Sequence, residues 1–427
     1  MSGALVEMLH PMYQPFKYRL YPFKNQEREL LRQLEDLRFL WNYALEQRID
    51  AWKLAKKHIG YVDQCRSLAR WRAYDEGGVG KVYGHVAQET LARLDDAFKA
   101  FFRRVKERKA GKSVPRLGYP RFKADTTSLT YPDANGSAVI VPGREGTRRL
   151  HLAMLGDIPI EVHRAPPEGR VKTCTVEREG DRWYAILTFE TPDPAPPPTI
   201  PPEKPVGIDL GLTALATLST GEKVEPPKFL RKAEKRLKWL DREVARKVRG
   251  SCNREKAKIR RARYHAKVRD QRRDFAHKLT TGWAESYDLI GFEDMDLRPH
   301  MLGKFPKSTA DAGWGMLRQY SEYKQRNRSQ RYVEVATKDT TQTCHQCGKL
   351  AIPRLELSDR EFRSNACSHV MDRDINAAKN VVARALAIVG RGTPESTPVE
   401  PGPPPPRKGR RVRSKKQEPP CAMGVAT

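Results

Sequence analysis

The hydrophobic period changes several times along the chain, and each change marks a new element. Residues 16–22 read Phe-Lys-Tyr-Arg-Leu-Tyr-Pro. This alternation predicts one strand, closed by Pro22. From Asn25 the period lengthens, and Leu30, Leu31, Leu34, Leu37, Leu40 and Trp41 fall on one helical face. A second helical pattern runs from Val86 to Val105 through Leu91, Leu94, Ala97, Phe98, Phe101 and Phe102. A helical bundle over roughly 25–108 follows from the two patterns. Gly111, Pro115, Gly118 and Pro120 break it.

Short alternating runs come next, at 138–141, 150–154, 158–162, 173–178 and 183–190, with Glu179-Gly180-Asp181 as a hairpin turn. They predict a small β-barrel that recruits the first strand, with the bundle inserted between its strands. The expected parts are 1–24 for the first strand, 25–125 for the helical domain and 126–191 for the rest of the barrel. A proline-rich linker spans 192–205. Val206-Gly-Ile-Asp-Leu-Gly-Leu212 then reads as a buried strand with one acid, Asp209, at its centre. Leu215–Ser219 reads as a returning strand that turns at Thr220-Gly221. Tyr287–Phe292 is a further apolar strand ending in Glu293-Asp294. Asp372-Arg-Asp-Ile-Asn-Ala-Ala378 opens a helix that continues through Val381, Val382, Ala385 and Leu386.

Charge adds a partner to this picture. The formal net charge is +28 over 427 residues, an imbalance that a polyanion such as nucleic acid would neutralise. Charge alone fits a ribosomal or histone-like binder as well. The helical stretch 228–278 carries 21 Lys or Arg against 6 Asp or Glu. That surplus is too one-sided for pairing along the helix and predicts a nucleic-acid groove. Beyond about residue 392 the Pro-rich, basic tail is expected to be disordered. No run of about 18 apolar residues suggests a membrane span. Residues 1–15 lack the apolar core of a secretory signal. Of the seven cysteines, Cys344, Cys347 and Cys367 cluster at metal-like spacing and four are scattered. The pattern is that of a reduced, cytoplasmic protein with one metal site.

Asp209, Glu293 and an acid at Asp372 or Asp374 lie at a strand centre, a strand end and a helix start, places that can converge on one point. Taken singly, each acid has an ordinary structural explanation, such as a loop cap, a surface acid or a helix N-cap. Converging carboxylates repel unless divalent cations neutralise them. Two Mg²⁺ ions about 4 Å apart would then activate water and stabilise the leaving oxygen of a phosphodiester.

The sequence resembles the TnpB family, the nucleases of bacterial insertion sequences, which is similar to the small type V CRISPR effectors. The matching text is Phe16-Lys-Tyr-Arg-Leu-Tyr-Pro22, Leu94-Asp-Asp-Ala-Phe-Lys-Ala-Phe-Phe102, Gly118-Tyr-Pro-Arg-Phe-Lys123, Gly207-Ile-Asp-Leu-Gly211, Asp274-Phe-Ala-His-Lys-Leu-Thr280, Gly291-Phe-Glu-Asp294, Asp311-Ala-Gly-Trp-Gly315, Thr341-Gln-Thr-Cys-His-Gln-Cys-Gly348 and Asp372-Arg-Asp-Ile-Asn-Ala-Ala378. It covers roughly 16–386. The resemblance implies an α+β multi-domain protein: a β-barrel wedge with an inserted helical recognition bundle, then an RNase H-like RuvC domain over 206–338 and 371–391. A zinc-knuckle insert would occupy 339–370, and the tail 392–427.

The implied RuvC triad is Asp209, Glu293 and Asp374, holding two Mg²⁺ ions. Asp372 is better placed to cap the helix, and Arg373 is a candidate phosphate contact. Cys344-x-x-Cys347 is a good zinc half-site. The family's second pair falls here on Ser364 and Cys367, and a serine hydroxyl is a poor zinc ligand. His369, or less well His345, could supply a nitrogen; a three-thiolate site or no zinc are the other readings. The implied partners are a guide RNA and target double-stranded DNA, met by a monomer that reads a short flanking motif. Tyr61 and Gln88 are candidate contacts to that flank, whereas Tyr18, Tyr21 and Trp41 are expected in the core. Rival readings are a type V CRISPR effector, a nuclease-inactive guided repressor, a DDE-type transposase and a guide-independent binder. The cysteine pair between the second and third acids argues against the transposase.

Overall fold

The β/α alternation of the second half and the strand-rich first half fold as two differently built sheets. The structure is a computed structural model. It describes residues 12–390 apart from 76–77, 113, 115, 133–135, 144–145, 298, 300–304 and 357–358. The expected tail lies outside the described residues.

In the first half, β1 (Met12–Leu20) is followed by three helices: α1 (Lys24–Ala55), α2 (Tyr61–Tyr74) and α3 (Gly84–Lys109). Six strands come next: β2 (Ser128–Tyr131), β3 (Ala138–Pro142), β4 (Arg148–Leu152), β5 (Gly156–Glu161), β6 (Arg170–Glu179) and β7 (Arg182–Thr191). The seven strands are ordered β2-β6-β7-β1-β5-β4-β3. Strand β1 starts four residues earlier than its alternation predicts and pairs with β7 over its whole length, from Met12↔Thr191 to Leu20↔Trp183.

The expected barrel is not closed. Among the described residues β2 and β3 are the edges and do not pair. The reason lies in the helices. Leu30, Leu34 and Leu37 of α1 and Leu91 and Leu94 of α3 share one buried cluster with Tyr18, Leu129, Tyr131 and Trp183 of the sheet. A sheet whose apolar face is covered by helices has no need to close on itself to bury it. Polar contacts fix the seam: Gln26 Nε2 donates to the carbonyls of Leu155 (3.3 Å) and Asp157 (3.0 Å). Tyr18 and Trp41 are core residues as expected, but Tyr21 is half exposed and donates its hydroxyl to Glu161 at 2.7 Å.

The second half holds β8 (Pro205–Leu210), β9 (Ala216–Leu218), β10 (Lys223–Val224), β11 (Leu289–Glu293) and β12 (Arg331–Val335), ordered β10-β9-β8-β11-β12. Strands β8, β11 and β12 run parallel, and β9 returns antiparallel to β8. The central strands read as continuous apolar runs because both faces are covered. The basic stretch is two helices, α4 (Phe229–Arg246) and α5 (Cys252–Ser286). Helix α5 then packs with α6 (Pro306–Ala312) and α7 (Trp314–Asn327) near one face, where Trp283, Phe292, Trp314 and Leu317 form the core. A small hairpin, β13 (Glu361–Arg363) and β14 (Val370–Asp372), leads into α8 (Arg373–Gly390), which lies on the other face against Leu289 and Val335. Among described residues, no helix is long and apolar enough to cross a membrane.

Helix α8 reaches the sheet through two glycines. Gly207 pairs with Gly291 across the parallel β8–β11 ladder. A Cβ at Gly207 would stand 2.1 Å from the Ala378 carbonyl oxygen and 2.5 Å from the Val382 nitrogen. A Cβ at Gly291 would meet Ala385 Cβ at 3.1 Å. Gly207→Ala should therefore lift α8 from the sheet. Its expected cost lies at or above the upper end of the roughly 1–3 kcal/mol of overpacking, read as a lower thermal melting midpoint. An unchanged midpoint would mean that the helix does not rest on this pair.

Candidate active site and metal centre

Side chains alternate along a strand, so the face that carries Gly207 also carries Asp209, and the face of Gly291 carries Glu293. The register Phe292↔Ile208 sets the two acids beside each other on neighbouring strands. The glycines face α8, so both acids lie beneath its first turn, where Asp374 stands. Asp372 does cap that turn: its Oδ1 accepts from the amides of Asp374 (3.0 Å) and Ile375 (3.1 Å). Its other oxygen pairs with Lys223 Nζ at 2.6 Å. Burial alone would raise the Asp372 pKa, but these partners outweigh it and hold it low.

The acids feel one another. Burial, then the charges of Glu293 and Asp374, push Asp209 up to about 8. Burial also raises Glu293, opposed by the Thr340 hydroxyl and the charge of Arg384. One Glu293 oxygen, Oε1, is buried without a hydrogen-bond partner. These are carboxylates that a divalent cation would satisfy. The three acids are not drawn within 4.8 Å of one another as the thiols are. Arg373 is not free for a phosphate at every nitrogen: Nη1 donates to the Glu356 carbonyl at 2.9 Å, and Nε lies 3.5 Å from Asp374.

The thiols of Cys344, Cys347 and Cys367 lie within 4.8 Å of one another. The fourth corner is not His369. Ser364 Oγ sits there, 3.5 Å from the Cys347 sulfur and 3.3 Å from that of Cys367. The His369 ring instead packs on His345, centroids 4.7 Å apart, with Nε2 buried and unpartnered. The reason is local: the hairpin bond from the Ser364 amide to the His369 carbonyl (2.8 Å) turns residue 364 inward. The backbone amide at Lys349, then the Ser364 hydroxyl, draw the Cys347 thiol down to about 7.

The flank candidates sit on the helical bundle. Tyr61 opens α2, half buried against the first core, and Gln88 is exposed on α3. On α5, some cations are occupied internally. Arg269 pairs with Glu179 at 2.7 Å and Arg263 with Asp181, so the β6–β7 turn docks on the helix. Sequence reading missed the buried Thr340, which lies near Glu293, and the buried Asn376 and Asn380 that bond its segment. The last two are signalled by polar residues at i, i+4 on an otherwise apolar helix face.

Asp209 supplies a test. An acid whose folded pKa is raised costs stability once the pH exceeds its ordinary value, and the cost grows until the folded pKa is passed. Here the window runs from 3.8 to about 8. In EDTA the melting midpoint should fall as pH rises from about 6 to about 8.5, and Asp209→Asn should flatten that fall and melt higher at the alkaline end. Parallel profiles would remove the repulsion from the account.

The chain is similar to known proteins in sequence and in fold. Three family models match: "Probable transposase" of the OrfB IS605 kind over residues 176–301, "Cas12f1-like, TNB domain" over 314–381 and "Helix-turn-helix domain" over 8–57. Within the last span, residues 24–55 form one continuous helix. A Streptomyces pristinaespiralis protein named "Putative RNA-guided DNA endonuclease" is 35% identical, the alignment covering 90% of this chain and 92% of that one. InsQ of Escherichia coli K12, named in the same way, is 29% identical over 89% and 94%. A cryo-EM structure of a Cas12f1-sgRNA-target DNA complex shares the fold with TM-score 0.57 at 13% identity, covering 87% of this chain and 99% of that one. With a relative 35% identical over 90% of its length and a matching OrfB IS605 model, the chain belongs to the TnpB (OrfB IS605) family.

Proposed function

We propose that the protein is an RNA-guided DNA endonuclease that hydrolyses target DNA beside a short flanking motif. The observation that carries this reading is the convergence of Asp209, Glu293 and Asp374 under the first turn of α8, on a chain 35% identical to a relative bearing that name. Base pairing to the guide would read sequence, while the protein grips backbone. The sheet and helical bundle, with Tyr61 and Gln88, would meet the flank. Helices α4 and α5 would line the strand path with their exposed cations, and Arg373 would assist at the phosphate. The protein would act as a cytoplasmic monomer.

Asp209, Glu293 and Asp374 would hold two Mg²⁺ ions. The buried, unpartnered Glu293 Oε1 and the mutual repulsion at Asp209 support this fit. Bound Mg²⁺ supplies an activated water and charge stabilisation for the departing oxygen. The chain's own part is to aim the three carboxylates and to limit their repulsion until cations bind. Asp372 ties down the helix start, and Thr340 and Arg384 favour the Glu293 anion. The thiol cluster fits zinc through three sulfurs, with Ser364 at the fourth corner.

Two measurements test the reading. Protein co-purified with its guide RNA should cut a plasmid library only where a matched target adjoins one shared flank, in Mg²⁺ and not without guide. Asp209→Ala, Glu293→Ala and Asp374→Ala should each abolish product while guided binding persists. Cutting that ignores the guide would overturn the proposal. At the knuckle, Ser364→Cys would complete four thiolates, so zinc should pass to a chromogenic chelator more slowly than from the wild type. Equal release rates would show that position 364 is no ligand corner.

A further inference from the structure

Helix α8 carries two amide side chains, Asn376 and Asn380, that are almost wholly buried on its inner face. A buried amide is costly unless bonded, and these two are bonded to one segment. Asn380 Nδ2 donates to the carbonyls of Thr340 (2.8 Å) and Thr343 (2.6 Å). Asn376 Nδ2 donates to the same Thr343 carbonyl (2.7 Å), and its Oδ1 accepts from the His345 amide at 3.0 Å. Thr343 and His345 are the two neighbours of Cys344, the buried thiol of the cluster. Thr340, at the other end of the segment, donates its hydroxyl to the Thr337 carbonyl at 3.1 Å and lies near the Glu293 carboxylate. Asp374 is two residues before Asn376 on the same helix. Four hydrogen bonds from two side chains thus join the thiol cluster on one side to Glu293 and Asp374 on the other.

We infer that Asn376 and Asn380 are positioning residues that couple the thiol cluster to the catalytic acids, so that the state of the thiols sets how well the acids hold divalent cations. Neither amide touches the reacting atoms. Each acts by holding the 340–345 segment against α8: without Asn380 the Thr340 carbonyl loses its donor and Thr340 is released from Glu293; without Asn376 the Cys344 turn is released from the start of α8. The inference rests on the nuclease reading for the role of the acids, but its measurement does not.

The test uses the full chain with its guide RNA and reads Mn²⁺ binding by titration calorimetry, beside zinc content and thermal melting. Asn380→Ala should weaken Mn²⁺ binding by about 10–100-fold, the usual scale for outer-shell support of a metal site, with zinc content and guide binding retained. Cys367→Ala should weaken Mn²⁺ binding in the wild type and add little in an Asn376→Ala/Asn380→Ala background. If Asn380→Ala fails to fold, Thr340→Val interrupts the same path with little change in volume, and Thr340→Ser, which keeps the hydroxyl, should restore binding. Unchanged Mn²⁺ affinity in a folded Asn380→Ala or Thr340→Val variant overturns the coupling, as does full additivity of Cys367→Ala with the double variant. Should the wild type bind Mn²⁺ with this dependence and yet cut no guided target, the coupling stands and the nuclease reading falls. Guided cutting with no such dependence has the opposite meaning.

Discussion

Helix α8 can lie directly on strands β8 and β11 because Gly207 and Gly291 stand side by side in a parallel ladder and offer no Cβ to the helix backbone. Much else depends on that close approach. Asp209 and Glu293 follow their glycines by two residues, so the alternation of a strand puts them on the same face. The helix that fills the glycine seat brings Asp374 in from above. One steric condition therefore gathers acids from positions 209, 293 and 374, and a side chain at Gly207 would part them.

Gathering the acids has an electrostatic cost. Asp209 holds its proton to about pH 8 because it is buried among like charges, and Glu293 keeps one oxygen buried and unpartnered. A stable fold tolerates such a site where a ligand relieves it, which is the common physical signature of a functional centre. The surrounding structure limits the repulsion without removing it: Lys223 takes up Asp372, and Arg384 lies near Glu293. The thiol cluster adds a second point of constraint. It is joined to the acids through α8 and the 340–345 segment rather than through the sheet.

Sequence patterns made the site more legible than the architecture. Acids inside apolar runs stand out, and the Cys-x-x-Cys spacing survives any error in strand boundaries. The α1 and α3 stripes likewise marked the face that now shares the first core, except at Leu31 and Phe102, which are exposed. The barrel failed because a strand's alternation tells that one face is buried, not what covers it; here the helices do. His369 failed as the fourth corner because distance along the chain does not reveal which side of a hairpin faces inward. Tyr21 looked like a core aromatic, yet its alternate position on β1 leads outward to Glu161. Asn376 and Asn380 left only their i, i+4 spacing on an apolar helix face as a signal, because their partners lie over thirty residues away in the chain.

Anomalous diffraction from crystals of the protein soaked in Mn²⁺ tests the central claim most directly. Two peaks about 4 Å apart, bounded by Asp209, Glu293 and Asp374 and lost on Asp209→Asn substitution, are the predicted result. Well-ordered crystals that bind Mn²⁺ elsewhere and leave these three carboxylates bare would contradict it.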